Sequence, residues 1–188
     1  IRPDAGRAVA TLGRSGFSIE VLSGDREEPV RTLAAPLGIS HIARVSPGAK
    51  AEHIARMIGA GRKPLMVGDG LNDAPALMAA YASMAPASAA DVGRNAADLV
   101  FLRDSLLAVP QAIAVARNAA RLVRENLALA IGYNVIAVPI AVLGGVTPLV
   151  AAIAMSSSSL LVVANALRLT GMDRRRQNSG TPEGGIVS

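Results

Sequence analysis

Along the first hundred residues, short aliphatic runs alternate with stretches whose apolar positions recur at helical spacing, the pattern of an α/β domain built around a parallel sheet. Helices are predicted at Asp4 to Arg14, Glu27 to Leu37, Gly48 to Ile58, Ala74 to Ala80 and Ala89 to Ala96. Strands are predicted at Ser18 to Leu22, Ile42 to Val45, Pro64 to Val67, Ser83 to Ala85 and Leu99 to Leu102. Gly38 reads as a helix stop, and the apolar run ending at Val67 leads straight into a glycine-rich turn. From Ser105 the pattern is helical, polar on one face as far as Glu125 and apolar all round from Leu127 to Leu143. Gly144, Gly145 and Pro148 interrupt it, and Leu149 to Leu167 forms a second apolar run.

No charged residue lies between Leu127 and Leu167, and each run is long enough to cross a hydrocarbon core of roughly 30 Å. A transmembrane hairpin follows, the alternative being a buried hydrophobic hairpin of a soluble protein. Arg117, Arg121 and Arg124 precede the first run, and Arg168 and Arg174 to Arg176 follow the second, so the positive-inside rule puts both outer ends in the cytoplasm. The expected organisation is a soluble α/β part over 1–104, a stalk helix over 105–126, spans over 127–145 and 149–169, and a disordered tail over 170–188.

The net charge of +5 would fit a nucleic-acid partner, but the arginines gather beside the apolar runs and the chain has only two Tyr, two Phe and no Trp. No nucleic acid is therefore expected, and the lipid bilayer is. With no cysteine there is no disulfide and no thiolate metal site in these residues, so any soft ligand is a methionine. The chain opens at Ile1 in what reads as a loop, and is expected to be a fragment.

Three segments carry candidate chemistry. At Gly68-Asp69-Gly70-Leu71-Asn72-Asp73, an apolar strand delivers two carboxylates and an amide into a glycine turn, the edge at which open parallel sheets bind ligands. Carboxylates at this spacing suit a hard cation such as Mg²⁺, and the glycines let the backbone approach a phosphate. The plainer reading makes Asp73 a helix N-cap. Ser23-Gly24-Asp25 again ends a strand with groups that suit a phosphoryl oxygen. Lys50 stands in the first turn of a helix, where it opposes the macrodipole and either neutralises an anion or is a solvated surface lysine.

Together and in this order, these segments resemble the haloacid-dehalogenase-type phosphorylation domain, and Gly68-Asp69-Gly70-Leu71-Asn72-Asp73-Ala74-Pro75-Ala76-Leu77 resembles the form found in P-type ATPases. The fold so implied is a partial Rossmann-like phosphorylation domain followed by an α-helical transmembrane hairpin. The resemblance implies that Asp69 holds Mg²⁺ with Asp73, that Asn72, Gly68 and Gly70 order the site, and that Lys50, Ser23, Gly24 and Asp25 meet the transferring phosphoryl group, with ATP as substrate. Arg2-Pro3 also resembles the segment that follows the nucleotide-binding domain in this family. The family phosphorylates an aspartate in Asp-Lys-Thr-Gly, and that motif is absent from these 188 residues. The nucleophile, and the nucleotide-binding and actuator domains, are expected in other parts of the same polypeptide, so the chain alone is expected to be inactive.

In the first apolar run Tyr133-Asn134 places polar groups near mid-membrane, where they serve either a ligand or helix-to-helix hydrogen bonding. In the second, Met155 stands beside Ser156 to Ser159, a thioether that suits Cu(I) or fills a packing gap. Neither run has a carboxylate, lysine or histidine for a hard or borderline ion. Tyr133, Asn134, Met155, Ser158 and Ser159 resemble the copper(I) class of heavy-metal ATPases, whereas zinc and cadmium relatives typically carry a lysine and an aspartate there. Ser83 to Pro86 and Ala96 to Leu102 resemble the FixI/CcoI group, bacterial copper pumps associated with respiratory oxidase assembly and nitrogen fixation. The implied parent is an inner-membrane copper(I) exporter with a cytoplasmic phosphorylation domain and C-terminus. The alternatives are a zinc- or cadmium-type pump and a membrane-tethered phosphatase of the same fold.

Overall fold

A computed structural model describes residues 2–69, 71–102, 105–144, 147, 149, 152–153, 156–157, 160, 162–165 and 167. The chain forms two compact units, Ile1–Ala112 and Ile113–Ser188.

In the first unit the order is α1 (Ala5–Arg14), β1 (Glu20–Leu22), α2 (Glu27–Ala34), β2 (Ser40–Ile42), α3 (Pro47–Gly59), β3 (Leu65–Val67), α4 (Ala74–Ala79), β4 (Ala82–Pro86), α5 (Asp91–Ala96) and β5 (Leu99–Phe101). All strand pairs are parallel: β1 with β2, and β3 with β4 with β5. The expected single sheet is thus two hydrogen-bonded sets. Each of the five runs pairs with the next one along the chain, except that among the described residues no ladder joins the first two to the last three.

Two boundaries differ from expectation for local reasons. The strand expected at Ile42 to Val45 lies at Ser40–Ile42, because Arg44 takes a left-handed φ of 56° and turns the chain. Its amide then donates to the Asp25 carbonyl at 2.8 Å, and the Val45 amide donates to the Ser23 carbonyl at 2.9 Å. The helix expected to Leu37 ends as α-helix at Ala34 and closes in a 3₁₀ turn, Ala35–Leu37, since Pro36 has no N–H to continue the ladder. Gly38, at φ 64°, is the left-handed stop read from the sequence.

The core of this unit lies beneath the glycine turn. Ile54 of α3, Met66 of β3, and Ala76 and Leu77 of α4 are buried together, with Met57, Ala79, Ala80 and Ala96 against them. This apolar contact fixes α3 and α4, the helices that carry Lys50 and Asp73, on the strand that delivers Gly68. Polar ties complete the frame. His53 meets Glu20 at 2.7 Å, joining α3 to β1, and His41 meets Glu27 at 2.8 Å, joining β2 to α2. Asp98 accepts from the Ser83 amide and hydroxyl at 2.8 and 3.0 Å, while its own amide donates to the Ser83 oxygen at 3.0 Å.

Helix α6 (Ala108–Val142) begins in the first unit and continues in the second, and covers both the segment read as stalk and most of that read as the first span. It passes through Pro139 and ends before Gly144, whose φ is 76°. Among the described residues it is the one helix long and apolar enough to cross a membrane. The described residues of the second apolar run at 149, 152–153, 156–157, 160, 162–165 and 167 are helical.

Candidate phosphoryl-transfer site

The side chains singled out in the soluble part come from the carboxyl ends of β1 and β3 and from the start of α3. Ser46 caps α3, its hydroxyl accepting from the Ala49 amide at 3.2 Å, with Pro47 pre-set in the first helical position. One turn in, Lys50 is buried at 7% exposure. A buried ammonium near the positive end of a helix is doubly unfavourable without a partner. The partner is Asp73: Lys50 Nζ donates to Asp73 Oδ1 at 2.7 Å.

That contact argues against the capping reading of Asp73. It occupies the N-cap position of α4 yet makes no side-chain capping bond, so its carboxylate faces Lys50 and not the helix. It also explains Gly68. A Cβ at residue 68 would stand 2.8 Å from Asp73 Cβ and 3.0 Å from its Oδ2, so only glycine lets the carboxylate lie against the backbone here. The Gly68 amide donates to the Met84 carbonyl at 3.2 Å, which fixes the turn to β4.

Asp69 and Asn72 are exposed on the same turn, and the Asp69 carbonyl accepts from the Ala90 amide at 3.4 Å. Gly70 lies outside the described residues. The carboxylates of Asp69, exposed, and Asp73, part-buried, are oxygen donors of the kind a hard divalent cation takes, and the cradle at Gly68 keeps the Asp73 carboxylate against the turn. Among the described residues there is no cluster of three or more His, Cys, Asp or Glu side chains that could hold a metal ion.

After β1, the Ser23 hydroxyl donates to Asp25 Oδ2 at 3.1 Å and accepts from the Asp25 amide at 3.2 Å, a closed local turn. The loop is tied by its carbonyls to Arg44 and Val45, directly ahead of the Ser46 cap. Gly24 packs against the chain there, since a Cβ would stand 3.4 Å from the Val45 carbonyl. Residues 23 to 25 and Lys50 are therefore linked through one stretch of backbone.

In the helical unit Tyr133 is half-buried and Asn134 exposed. Met155, Ser158 and Ser159 lie outside the described residues. The neighbouring Ser156 and Ser157 hydroxyls donate to the Ala152 and Ile153 carbonyls at 2.9 and 2.8 Å, satisfied within their own helix. Sequence reasoning missed two polar contacts altogether. The Ser105 hydroxyl donates to Asp4 Oδ2 at 2.6 Å, and Asn165 Nδ2 donates to Asn126 Oδ1 at 2.8 Å. Both join residues far apart in the chain, and only the place of Asn126 and Asn165 at the two ends of the charge-free stretch could have marked the second pair.

A parallel α/β unit with a buried Lys–Asp pair at the carboxyl end of a strand is the arrangement expected of a haloacid-dehalogenase-type domain. Residues 1–80 match the family described as haloacid dehalogenase-like hydrolase. The chain is 60% identical over 169 residues to the nitrogen fixation protein FixI of Rhizobium meliloti, covering 89% of this chain and 22% of that protein. It is 42% identical over 173 residues to a copper-exporting P-type ATPase of Staphylococcus epidermidis, covering 92% of this chain and 22% of that one. A crystal structure of a zinc-transporting PIB-type ATPase in its E2.Pi state superposes with a TM-score of 0.86 at 32% identity, over 90% of this chain and 28% of that one. Over about nine-tenths of its length the chain is homologous to part of the P-type ATPases of the PIB or heavy-metal branch. It spans about a quarter of the length of the curated relatives it matches.

Proposed function

We propose that the polypeptide to which these residues belong is an ATP-driven exporter of Cu(I), working through an aspartyl-phosphate formed on a residue outside this chain. The observation that carries the phosphoryl-transfer half is the buried 2.7 Å contact of Lys50 with Asp73 beside Gly68. An ammonium has three N–H donors, so the bond to Asp73 leaves Lys50 capacity for an oxygen of a phosphoryl group whose charge grows in transfer. The Ser23 hydroxyl, released from Asp25, and the Gly24 amide would donate to the other oxygens. Asp69 and Asp73 would hold Mg²⁺, which when bound neutralises phosphate charge.

Copper is favoured over zinc by ligand chemistry. Met155 offers a soft thioether, and the charge-free stretch has no carboxylate, lysine or histidine for a hard or borderline ion. Relatives named as copper-exporting ATPases and as FixI proteins share this stretch, and export with delivery to respiratory oxidases is the fuller reading that the FixI likeness supports. Zinc is the second reading, favoured by the zinc-transporting structure that matches at a TM-score of 0.86, although a shared fold leaves the ion open. The apolar runs would cross the inner membrane, with the α/β unit and the C-terminus cytoplasmic.

The test is phosphate release by the full-length protein in vesicles, with Cu(I) and Zn(II) at matched free concentrations. Stimulation by Cu(I) alone supports the reading. Stimulation by Zn(II) alone makes Met155 a packing residue, and indifference to both metals points to a tethered phosphatase.

A further inference from the structure

The hydrogen bond between Asn126 and Asn165 lies within the helical unit, at the two outer ends of the charge-free stretch. From Leu127 to Val142, α6 exposes every residue except Ala130, Tyr133 and Ala137, which are half-buried, as is Asn126 before them. The intervals of four, three and four residues are those of a seam along one helix face. Asn126 is the first position of that seam, and Tyr133 stands two turns further along it. On the other side Asn165 and Val162 are half-buried.

We infer that the Asn126–Asn165 amide pair is a positioning clamp that sets the register of the two apolar helices, and so brings Tyr133 level with the serines of the second run. The inference rests on the proposed reading of Tyr133 as an ion ligand. Hydrophobic side chains slide past one another at little cost, whereas a half-buried amide that bonds across to the other helix favours the register in which its partner faces it. Helix α6 runs to Val142 and Asn165 meets Asn126, so the second run returns along the first and equal steps from the clamp stay level. Seven residues, about 10.5 Å of helix, lead from Asn126 to Tyr133. The same step back from Asn165 leads to chain position 158. A slip of one turn, about 5.4 Å, would separate the two groups. The clamp touches neither ion nor phosphate, and its effect is confined to where the ligands stand.

The test uses the full-length protein in vesicles, with Asn126→Leu, Asn165→Leu, the double variant and Asn165→Gln. Each leucine variant should raise the Cu(I) concentration for half-maximal phosphate release roughly three- to tenfold, the scale of one interhelical hydrogen bond in a membrane. Maximal turnover, and phosphorylation by inorganic phosphate without copper, should stay as in the parent. The double variant should be no worse than either single one, and Asn165→Gln, which keeps an amide, should recover part of the shift.

A second measurement is independent of transport. Thiols introduced by Ala130→Cys and Val162→Cys should cross-link, read by mass spectrometry, and those from Ala137→Cys and Val162→Cys should not. The double leucine background should erase that preference. A preference unchanged in that background, or leucine effects that add, overturns the clamp. If the parent itself ignores Cu(I), the ion assignment has failed and the cross-link alone decides the clamp.

Discussion

The two units hold their polar groups in opposite ways. In the α/β unit nearly every polar side chain that matters has a partner from another element: Lys50 with Asp73, Glu20 with His53, Ser83 with Asp98, Asp4 with Ser105. Its exposed apolar residues, such as Val92 and Leu71, are scattered ones of the kind soluble domains tolerate. In the helical unit the proportions reverse. Leu127, Leu129, Ile131, Val135, Ile136 and Val138 all stand exposed, and the polar contacts among the described residues include the serines' bonds to their own helix, the Arg121–Glu125 pair and one amide pair. Water can solvate the first surface and only lipid or further helices the second. Equal exposure therefore means different things in the two halves, and substitutions can show it.

The largest effect is expected at Lys50. In the full-length protein, Lys50→Ala should lower phosphate release by about 10²- to 10³-fold, the scale of removing one preorganised donor to a developing anion. It also leaves the part-buried Asp73 carboxylate unpaired, so the unit should lose about 3 kcal/mol in denaturant unfolding. Lost turnover with unchanged stability would mean the pair is not the strut drawn here. Unchanged turnover would remove the phosphoryl-transfer reading.

Next comes a direct break of the comparison. Val135 and Val92 are exposed to 65% and 49%, yet Val135→Arg should impair membrane insertion by about 2.5 to 3.5 kcal/mol. Val92→Arg should change stability by less than about 0.5 kcal/mol. Glycosylation-mapped insertion and thermal unfolding read the two, and equal small effects would argue that the apolar helix does not meet lipid.

A smaller effect is expected from Gly68→Ala. The added Cβ has to displace Asp73, whose carboxylate is already fixed by Lys50, so about 1 to 3 kcal/mol of strain and at least a tenfold loss of turnover should follow. Structure determination of the variant should find the Lys50–Asp73 contact lengthened. A contact still at 2.7 Å would refute the close-fit account.

What the sequence made legible follows from the range over which each feature is decided. The alternation of elements and the glycine turn after β3 are local patterns, and they read directly; Lys50, Asp69 and Asp73 are candidates on local signals of the same kind. The strand that shifted to Ser40–Ile42 moved because Arg44 takes a left-handed conformation that nothing in its side chain announces. The break of the sheet into two sets depends on which strands meet in space. Lys50 and Asp73 were each singled out, but their bond joins residues in different helices, and so the choice between cation ligand and helix cap for Asp73 could not be made from spacing. The Asn126–Asn165 and Asp4–Ser105 pairs have chain separations of 39 and 101 residues, beyond any local pattern.

The smallest predicted effect concerns that last pair and is one of pH. The Ser105 hydroxyl, above all, holds the Asp4 carboxyl below its ordinary value of 3.8, with the Leu107 amide adding to it and partial desolvation opposing both. The folded state thus favours the ionised form more than the unfolded chain does. The stability so contributed is full above the unfolded value and is lost as pH falls through the lower folded one, a window below about pH 4. Ser105→Ala removes the largest cause and should let Asp4 titrate closer to its ordinary value. The parent should then exceed the variant in stability at pH 7, with the gap narrowing by pH 3. Urea unfolding of the full-length protein at the two pH values, followed through a probe in the α/β unit, measures it. A gap that stays constant would mean that Ser105 acts there through packing and through the hydrogen bond it accepts from the Leu107 amide at 3.2 Å, and not through the charge on Asp4.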